Sequence, residues 1–156
     1  MAQRITQRFP QAVVEAAPEW VVVQADSLVD VATFLRDDGD LDFKFLISVT
    51  GVDRIDHFEV VYHLQSLSHN HLMVLKTRAL DHKEPEVPSL VPVWRGAQLQ
   101  EREVYDLMGI RFAGHPDLRR VFLWEGFPGH PLRKDWLGMP GGVTPGLGKF
   151  PREEGG

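Results

Sequence analysis

The stretch Glu101-Arg-Glu-Val-Tyr-Asp-Leu-Met-Gly-Ile-Arg-Phe-Ala-Gly-His-Pro-Asp-Leu-Arg-Arg120 gathers carboxylates, a tyrosine, a histidine and four arginines within twenty residues. Such a set suits general acid–base chemistry, with Glu101, Glu103, Tyr105 and His115 as the groups that move protons in a small stand-alone enzyme. Helical geometry weighs against that reading, because two carboxylates two residues apart on a helix diverge by about 200° and cannot flank one reacting bond. The other reading makes Glu101 and Glu103 ion-pair partners for Arg119, Arg120, Arg133 or Lys134, since carboxylates flanking an apolar stripe seldom stay unpaired. Arg102 and Asp106, four apart, are placed to pair on the exposed side of the same helix.

Metal and phosphate chemistry find weaker support. His115 and His130 stand in matching Gly-His-Pro segments, Gly114–Pro116 and Gly129–Pro131, and with Asp117 they have the side chains of a zinc or iron site. Their spacing matches no HxH or HExxH pattern, and His69 and His71 lie at an expected hairpin turn, so no metal ligand is assigned. Gly142-Val-Thr-Pro-Gly-Leu-Gly-Lys149 approaches a phosphate-binding loop but is one residue too long, and Phe150 stands where a magnesium-binding hydroxyl belongs. Phe58 and Tyr62 alternate as nucleic-acid stacking residues do, yet Asp56 and Glu59 beside them are acidic, which favours core packing.

The 156 residues suit one domain, and the absence of cysteine excludes disulfides, thiolate metal sites and iron–sulfur ligation by thiolates. A net charge of -5 argues against nucleic-acid binding. The charge is uneven: Arg111 to Asp135 holds five Lys/Arg against three Asp/Glu, a net +2 that leaves -7 for the remainder. No apolar run reaches the ~18 residues of a membrane span, and the first twenty residues do not read as a secretory signal, so a cytosolic location is the default expectation.

The elements that must position these groups follow from periodicity. A short helix bent at Pro10 is expected over Ile5–Val14, and a strand over Trp20–Ala25. Asp26-Ser27 start a helix carrying Leu28, Val31, Ala32, Phe34 and Leu35, with Gly39 as its stop. Strands are expected at Phe43–Val49, Phe58–Leu64 and His71–Arg78, separated by turns at Thr50–Asp53 and Ser68–Asn70. A short helix capped by Ser89 covers Leu90–Trp94, and a second runs from Gln98 to Met108, with Gly109 as a left-handed stop. The predicted fold is α+β: a small antiparallel sheet with helices on one face, residues 1–110, followed by an extended docking arm and tail, residues 111–156. In that arm Phe112, Phe122, Trp124, Phe127 and Trp136 with their arginines have the composition of an interface anchor. Leu137–Gly156 is expected to be extended or disordered without a partner.

Glu101-Arg-Glu-x-Tyr-Asp-Leu-x-Gly-Ile, Gly114-His-Pro-Asp-Leu-Arg-Arg120 and Gly129-His-Pro-Leu-Arg-Lys-Asp135 together closely resemble the signature of the C subunit of NADH-quinone oxidoreductase, respiratory complex I, and of the related photosynthetic J subunit. Ser48–Asp53, Phe58–Leu64 and Val87–Ser89 extend the likeness. The resemblance implies a non-catalytic peripheral-arm subunit on the cytoplasmic side of the bacterial inner membrane, touching the membrane only through the complex. It implies docking onto the large quinone-site subunit and the subunit holding the terminal iron–sulfur cluster. FMN, iron–sulfur clusters and quinone would all reside in partner subunits. The equivalent subunit of a membrane-bound hydrogenase is the alternative within this class. Carried over by motif, Glu101, Arg102, Glu103, Tyr105, Asp106, Gly109, His115, Pro116, Asp117, Arg119, Arg120, Pro131, Leu132, Arg133, Lys134 and Asp135 are implied to be scaffold and docking residues.

Overall fold

The apolar–polar alternation of Phe58–Leu64 demands a strand with one buried face. In the computed structural model, which describes residues 1–139, that strand lies next to the middle of a five-stranded sheet. The elements run α1 (Ala2–Arg8), β1 (Val13–Ala16), β2 (Trp20–Val23), α2 (Leu28–Asp37), β3 (Phe45–Asp53), β4 (Phe58–Ser66), β5 (His71–Ala79), β6 (Glu86–Pro88), α3 (Ala97–Met108) and β7 (Arg111–Ala113). The sheet order is β1-β2-β5-β4-β3, and β6 and β7 form a separate parallel pair.

The α+β class stands as expected, and β3, β4 and β5 are the antiparallel meander. The sheet as a whole is mixed, because β2 runs parallel to β5, with Val21 opposite Leu75 and Val23 opposite Thr77. The cause is α2: it carries the chain across the sheet to the far edge, so the returning meander brings β5 back beside β2. Val21, Val23, Phe58, Val60, Tyr62, Leu64, Met73 and Leu75 face one way. They share a single core with Leu28, Val31 and Leu35 of α2 and Ala97, Val104 and Met108 of α3. Burying each of the larger of these side chains stabilises the fold by ~1.5–3 kcal/mol. The opposite face holds Glu59, ringed by Arg54, Lys76 and Arg78.

Several local expectations give way to tertiary context. The first helix ends at Arg8, because Pro10 disfavours a helical Phe9, and Val13 instead enters β1. Strand β2 stops at Val23, and a 3-10 turn over Ala25–Ser27 leads into α2 with no side-chain cap from Ser27. Helix α2 ends at Asp37, where Asp38 turns extended and its carboxylate accepts the Asp40 and Leu41 N–H groups, so Gly39 is not the stop. Thr50–Asp53 is strand rather than turn; the chain reverses at Arg54–His57. Gly51 is needed there because α3 lies against it, and a Cβ would stand 2.7 Å from Met108 Sδ and 2.9 Å from Val104 Cγ1. Leu90–Trp94 makes a tight turn, closed by Val93 N and Trp94 N on Leu90 O, rather than a helix. The phosphate-loop segment 142–149 and most of the tail lie outside the described residues.

Candidate functional site

Helix α3 forms where apolar Ala97, Val104 and Met108 recur at helical spacing, and it stops at Gly109, whose φ of 73° is the expected left-handed conformation. A helix end leaves four carbonyls without partners. Here the following segment takes all of them. Tyr105 O accepts from Gly109 N, Asp106 O from Arg120 and His130, Leu107 O from Leu132 N, and Met108 O from Arg133 Nε at 2.6 Å. Residues 114–139 therefore form a strap folded back over the end of α3, and its cationic side chains complement the negative end of the helix dipole.

Asp106 is the strap's main anchor. Although fully buried, its Oδ2 accepts the backbone N–H groups of Val121, Phe122 and Leu123 at 3.0, 2.7 and 3.0 Å, and Oδ1 accepts Arg120 at 3.0 Å. Burial pushes this carboxyl up, but those four donors outweigh it and hold it below the usual carboxylate range. Arg120 also binds the carbonyls of Phe127 and Gly129, at 3.1 Å each. Burial and the neighbouring arginine charges push His130 down, against the raising effect of Asp106 O. At the far end, Asp53 on β3 accepts Lys134 N at 2.9 Å, together with Ile55 N and His82. Nothing in the sequence marks Asp53 as a strap anchor, because it meets Lys134 only through the fold.

Two sequence expectations about pairing are corrected by this geometry. Arg102 does not pair with Asp106; it donates to the carbonyls of Arg119 and Arg120 at 3.2 and 3.3 Å, while Asp106 points inward. Glu101 does not meet an arginine or Lys134: fully buried, it accepts from Ser89 Oγ at 2.6 Å and Leu90 N at 2.7 Å. Glu103 is half-exposed, and the partly buried Tyr105 ring lies 6.1 Å from that of His130. His115 donates from Nε2 to Gln98 O and accepts Asp117 N, and His130 Nδ1 binds Asp106 O, so both Gly-His-Pro histidines hydrogen-bond to backbone. Arg119 is exposed and meets Asp117, Pro116 and Asp135 are exposed, and Pro131 is half-buried. Glu101 is sealed inside while Glu103 is half-exposed, so the two carboxylates weighed for acid–base chemistry do not open on one surface.

The arm's aromatics divide. Phe112 belongs to β7 and is buried against the core, and Phe127 is buried between Trp124 and Trp136, so these two are packed on their own chain rather than standing out as the interface anchors their composition suggested. Because β7 pairs with β6, and because the strap caps α3, residues 111–139 are part of the folded body. Outward in the strap stand Phe122, Trp124 and Leu132, exposed by 62%, 46% and 59%, together with Val121 and Leu137.

The described residues thus form a cysteine-free α+β domain with a strap fastened across its own helix and with Phe122 and Trp124 exposed. The family model for the respiratory-chain NADH dehydrogenase 30 kDa subunit matches residues 21–139, and the chain belongs to that family. It is 49% identical over 118 residues to the NADH-quinone oxidoreductase C subunit of Roseiflexus sp. strain RS-1, covering 74% of this chain and 67% of that one. The same subunit from Caulobacter vibrioides is 51% identical over 119 residues, 74% of this chain and 59% of the relative. Among solved structures, a trypsin-resistant fragment of Nqo5 superposes with a TM-score of 0.51 at 33% identity, covering 64% of this chain and 81% of the fragment. A polypeptide of the membrane-bound sulfane sulfur reductase, an archaeal respiratory membrane complex, superposes at 0.70 with 24% identity, over 86% of this chain and 82% of that one, and shares the fold. Among the described residues no helix is long and apolar enough to cross a membrane.

Proposed function

We propose that this chain is a redox-inert docking subunit of a proton-translocating NADH-quinone oxidoreductase. In this reading the strap binds the large quinone-site subunit and the subunit holding the terminal iron–sulfur cluster, peripherally and on the cytoplasmic side of the membrane. FMN, the clusters and quinone belong to those partners, and the strap residues of the family motif serve to present the contact surface.

The observation that carries the reading is how Phe122 and Trp124 are held. The backbone at Val121–Leu123 is fastened to buried Asp106, while the Phe122 and Trp124 side chains stay outward. A pre-ordered aromatic pair loses little conformational entropy on binding, which is the condition for an interface hot spot. The paired substitution Phe122→Asp with Trp124→Asp tests this in cells expressing the whole complex. The expected outcome is loss of co-purification with the quinone-site subunit, on the order of 2 kcal/mol or more per side chain, while the isolated chain stays folded and loses only the Trp124–Phe127 contact. Full-yield assembly of that variant would rule Phe122 and Trp124 out as the contact.

A further inference from the structure

Helices α1, α2 and α3 all send side chains into the one core, which lies on one side of the five-stranded sheet. The other face carries no helix layer among the described residues. A solvated sheet face is ordinarily polar along its whole length. Here the register sorts it into two unlike ends. At one end Phe45 stands across from Gln65 and Gln65 from Leu72, with Ile47 in the β3 bulge beside them. Phe45, Ile47 and Leu72 are exposed by 50%, 43% and 60%, and a groove of about 590 Å³ is lined by Ile47, Leu72 and Val74 among others. An exposed apolar patch with a polar border marks a contact surface.

At the other end Glu59 stands across from Arg78 and is nearly closed to solvent among Arg54, Lys76 and Arg78, so cations are what this end presents outward. Lys76 lies over the Trp20 ring at 4.9 Å and joins the two ends. The sheet's edges are poorly suited to taking another strand, because β1 and β3 each carry a bulge and Val49 N of β3 is already bound by Gln100 Oε1 at 2.8 Å. A partner must therefore use the face.

The charge pattern selects the occupant. A second copy laid face to face by a two-fold axis sets cations on cations or cations on the apolar end, according to the axis, and both are unfavourable. An anionic membrane surface is read by clusters of about four to eight Lys/Arg, whereas this face has three, shared with Glu59 and Glu15, on a chain of net charge -5. The complement is a surface apolar at one end and acidic at the other. Leu72 to Arg78 is six residues of strand, on the order of 20 Å, the length of a helix of ~14 residues.

We propose that this sheet face is a docking site for an amphipathic helix of a partner protein, lying along β4 and β5 with its apolar stripe on Phe45, Ile47 and Leu72 and its acidic residues on Arg54, Lys76 and Arg78. Such a helix supplies the layer that the sheet lacks on this side. The inference rests on the subunit role proposed above but uses none of the strap's residues.

Because the chain has no cysteine of its own, single reporters can be placed on the face by Phe45→Cys and Leu72→Cys, both at exposed positions. Maleimide labelling at each is followed in the isolated full chain and in the purified complex. Zero-length carbodiimide coupling of the complex, read by mass spectrometry, then reports which carboxylates the Lys76 amine reaches. Labelling should be at least about tenfold slower in the complex than in the isolated chain, and Lys76 should be joined to an Asp or Glu in a helical segment of one partner. Equal rates in the two states, or coupling of Lys76 only to its own Glu59, would overturn the proposal. Slow labelling of the isolated chain that quickens on dilution would give the face to a second copy, and slowing by vesicles of anionic phospholipid alone would give it to a membrane; either overturns the proposal as well. Failure of the unsubstituted chain to co-purify with any partner would remove the subunit role and this proposal with it, whereas fast labelling in a normally assembled complex removes this one alone.

Discussion

Helix α3 carries two fully buried acids five residues apart, and they live under opposite conditions. Asp106 has four hydrogen-bond donors at its carboxylate, one of them the Arg120 guanidinium, and its carboxyl is held below the usual range. Glu101 has two donors, both uncharged, and is lifted to about 7. Both side chains are closed to solvent, but Glu101 lies deeper and has two uncharged donors where Asp106 has four, so desolvation prevails at Glu101 and is outweighed at Asp106. One end of the helix is a fastening to the strap, and the other holds a carboxyl against the turn at Ser89–Leu90.

The contrast is most easily destroyed at Asp106. Asp106→Ala strands three backbone N–H groups and the Arg120 charge, and should cost ~3–5 kcal/mol in urea unfolding, with fast amide exchange at Val121–Leu123. Protection of those amides equal to that of the native chain would show that Asp106 is not the anchor. Acid should produce the same release reversibly. Because the folded Asp106 value is depressed, its contribution is present above the unfolded value and lost as pH falls through the folded one. Glu101 has the reverse sign: its raised folded value gives a contribution present below the unfolded value and lost as pH rises toward about 7. Amide exchange measured across pH should show strap protection fading on the acid side while α3–sheet stability fades on the neutral side.

Smaller effects are expected along the rest of the strap. Gly109→Ala places a Cβ 2.5 Å from His130 and 2.6 Å from Arg133 at a φ of 73°, so a loss of ~1–3 kcal/mol with a weakened strap is expected from thermal unfolding. Arg133→Ala, which uncaps Met108 O, should cost ~1 kcal/mol. Arg119→Ala should change stability by no more than ~0.5 kcal/mol, since both it and its partner Asp117 are solvated. An Arg119 effect as large as that of Arg133 would show that the exposed side of the strap also bears on the fold.

The two ends of the helix also differ in how far sequence alone exposes them. The meander, α2 and α3 follow from periods of 2 and 3.6, and Gly109 from its place after Met108, because these signals are local. The α3 acids stand out by type, yet their partners do not: Ser89 precedes Glu101 by twelve residues, and Val121–Leu123 follow Asp106 by fifteen to seventeen. Helical spacing alone favoured an exposed Arg102–Asp106 pair, and the fold overrode it because four donors on the strap outbid one neighbour. Phe112 and Phe127 read as interface residues since composition cannot distinguish an aromatic that meets a partner from one that meets its own chain.

The sequence by itself determined the α+β class, the cysteine-free chemistry, the extent of α3 and the family. Each rests on local period, residue type or motif order, which survive without knowledge of contacts. Only the tertiary structure decided that the strap closes on its own helix, that Gly51 is a contact rather than a turn, and that Asp106 is bound by the strap while Glu101 is bound by the turn at Ser89–Leu90. Those outcomes depend on which groups distant in the chain are brought within hydrogen-bonding reach, and burial gives such meetings their energy.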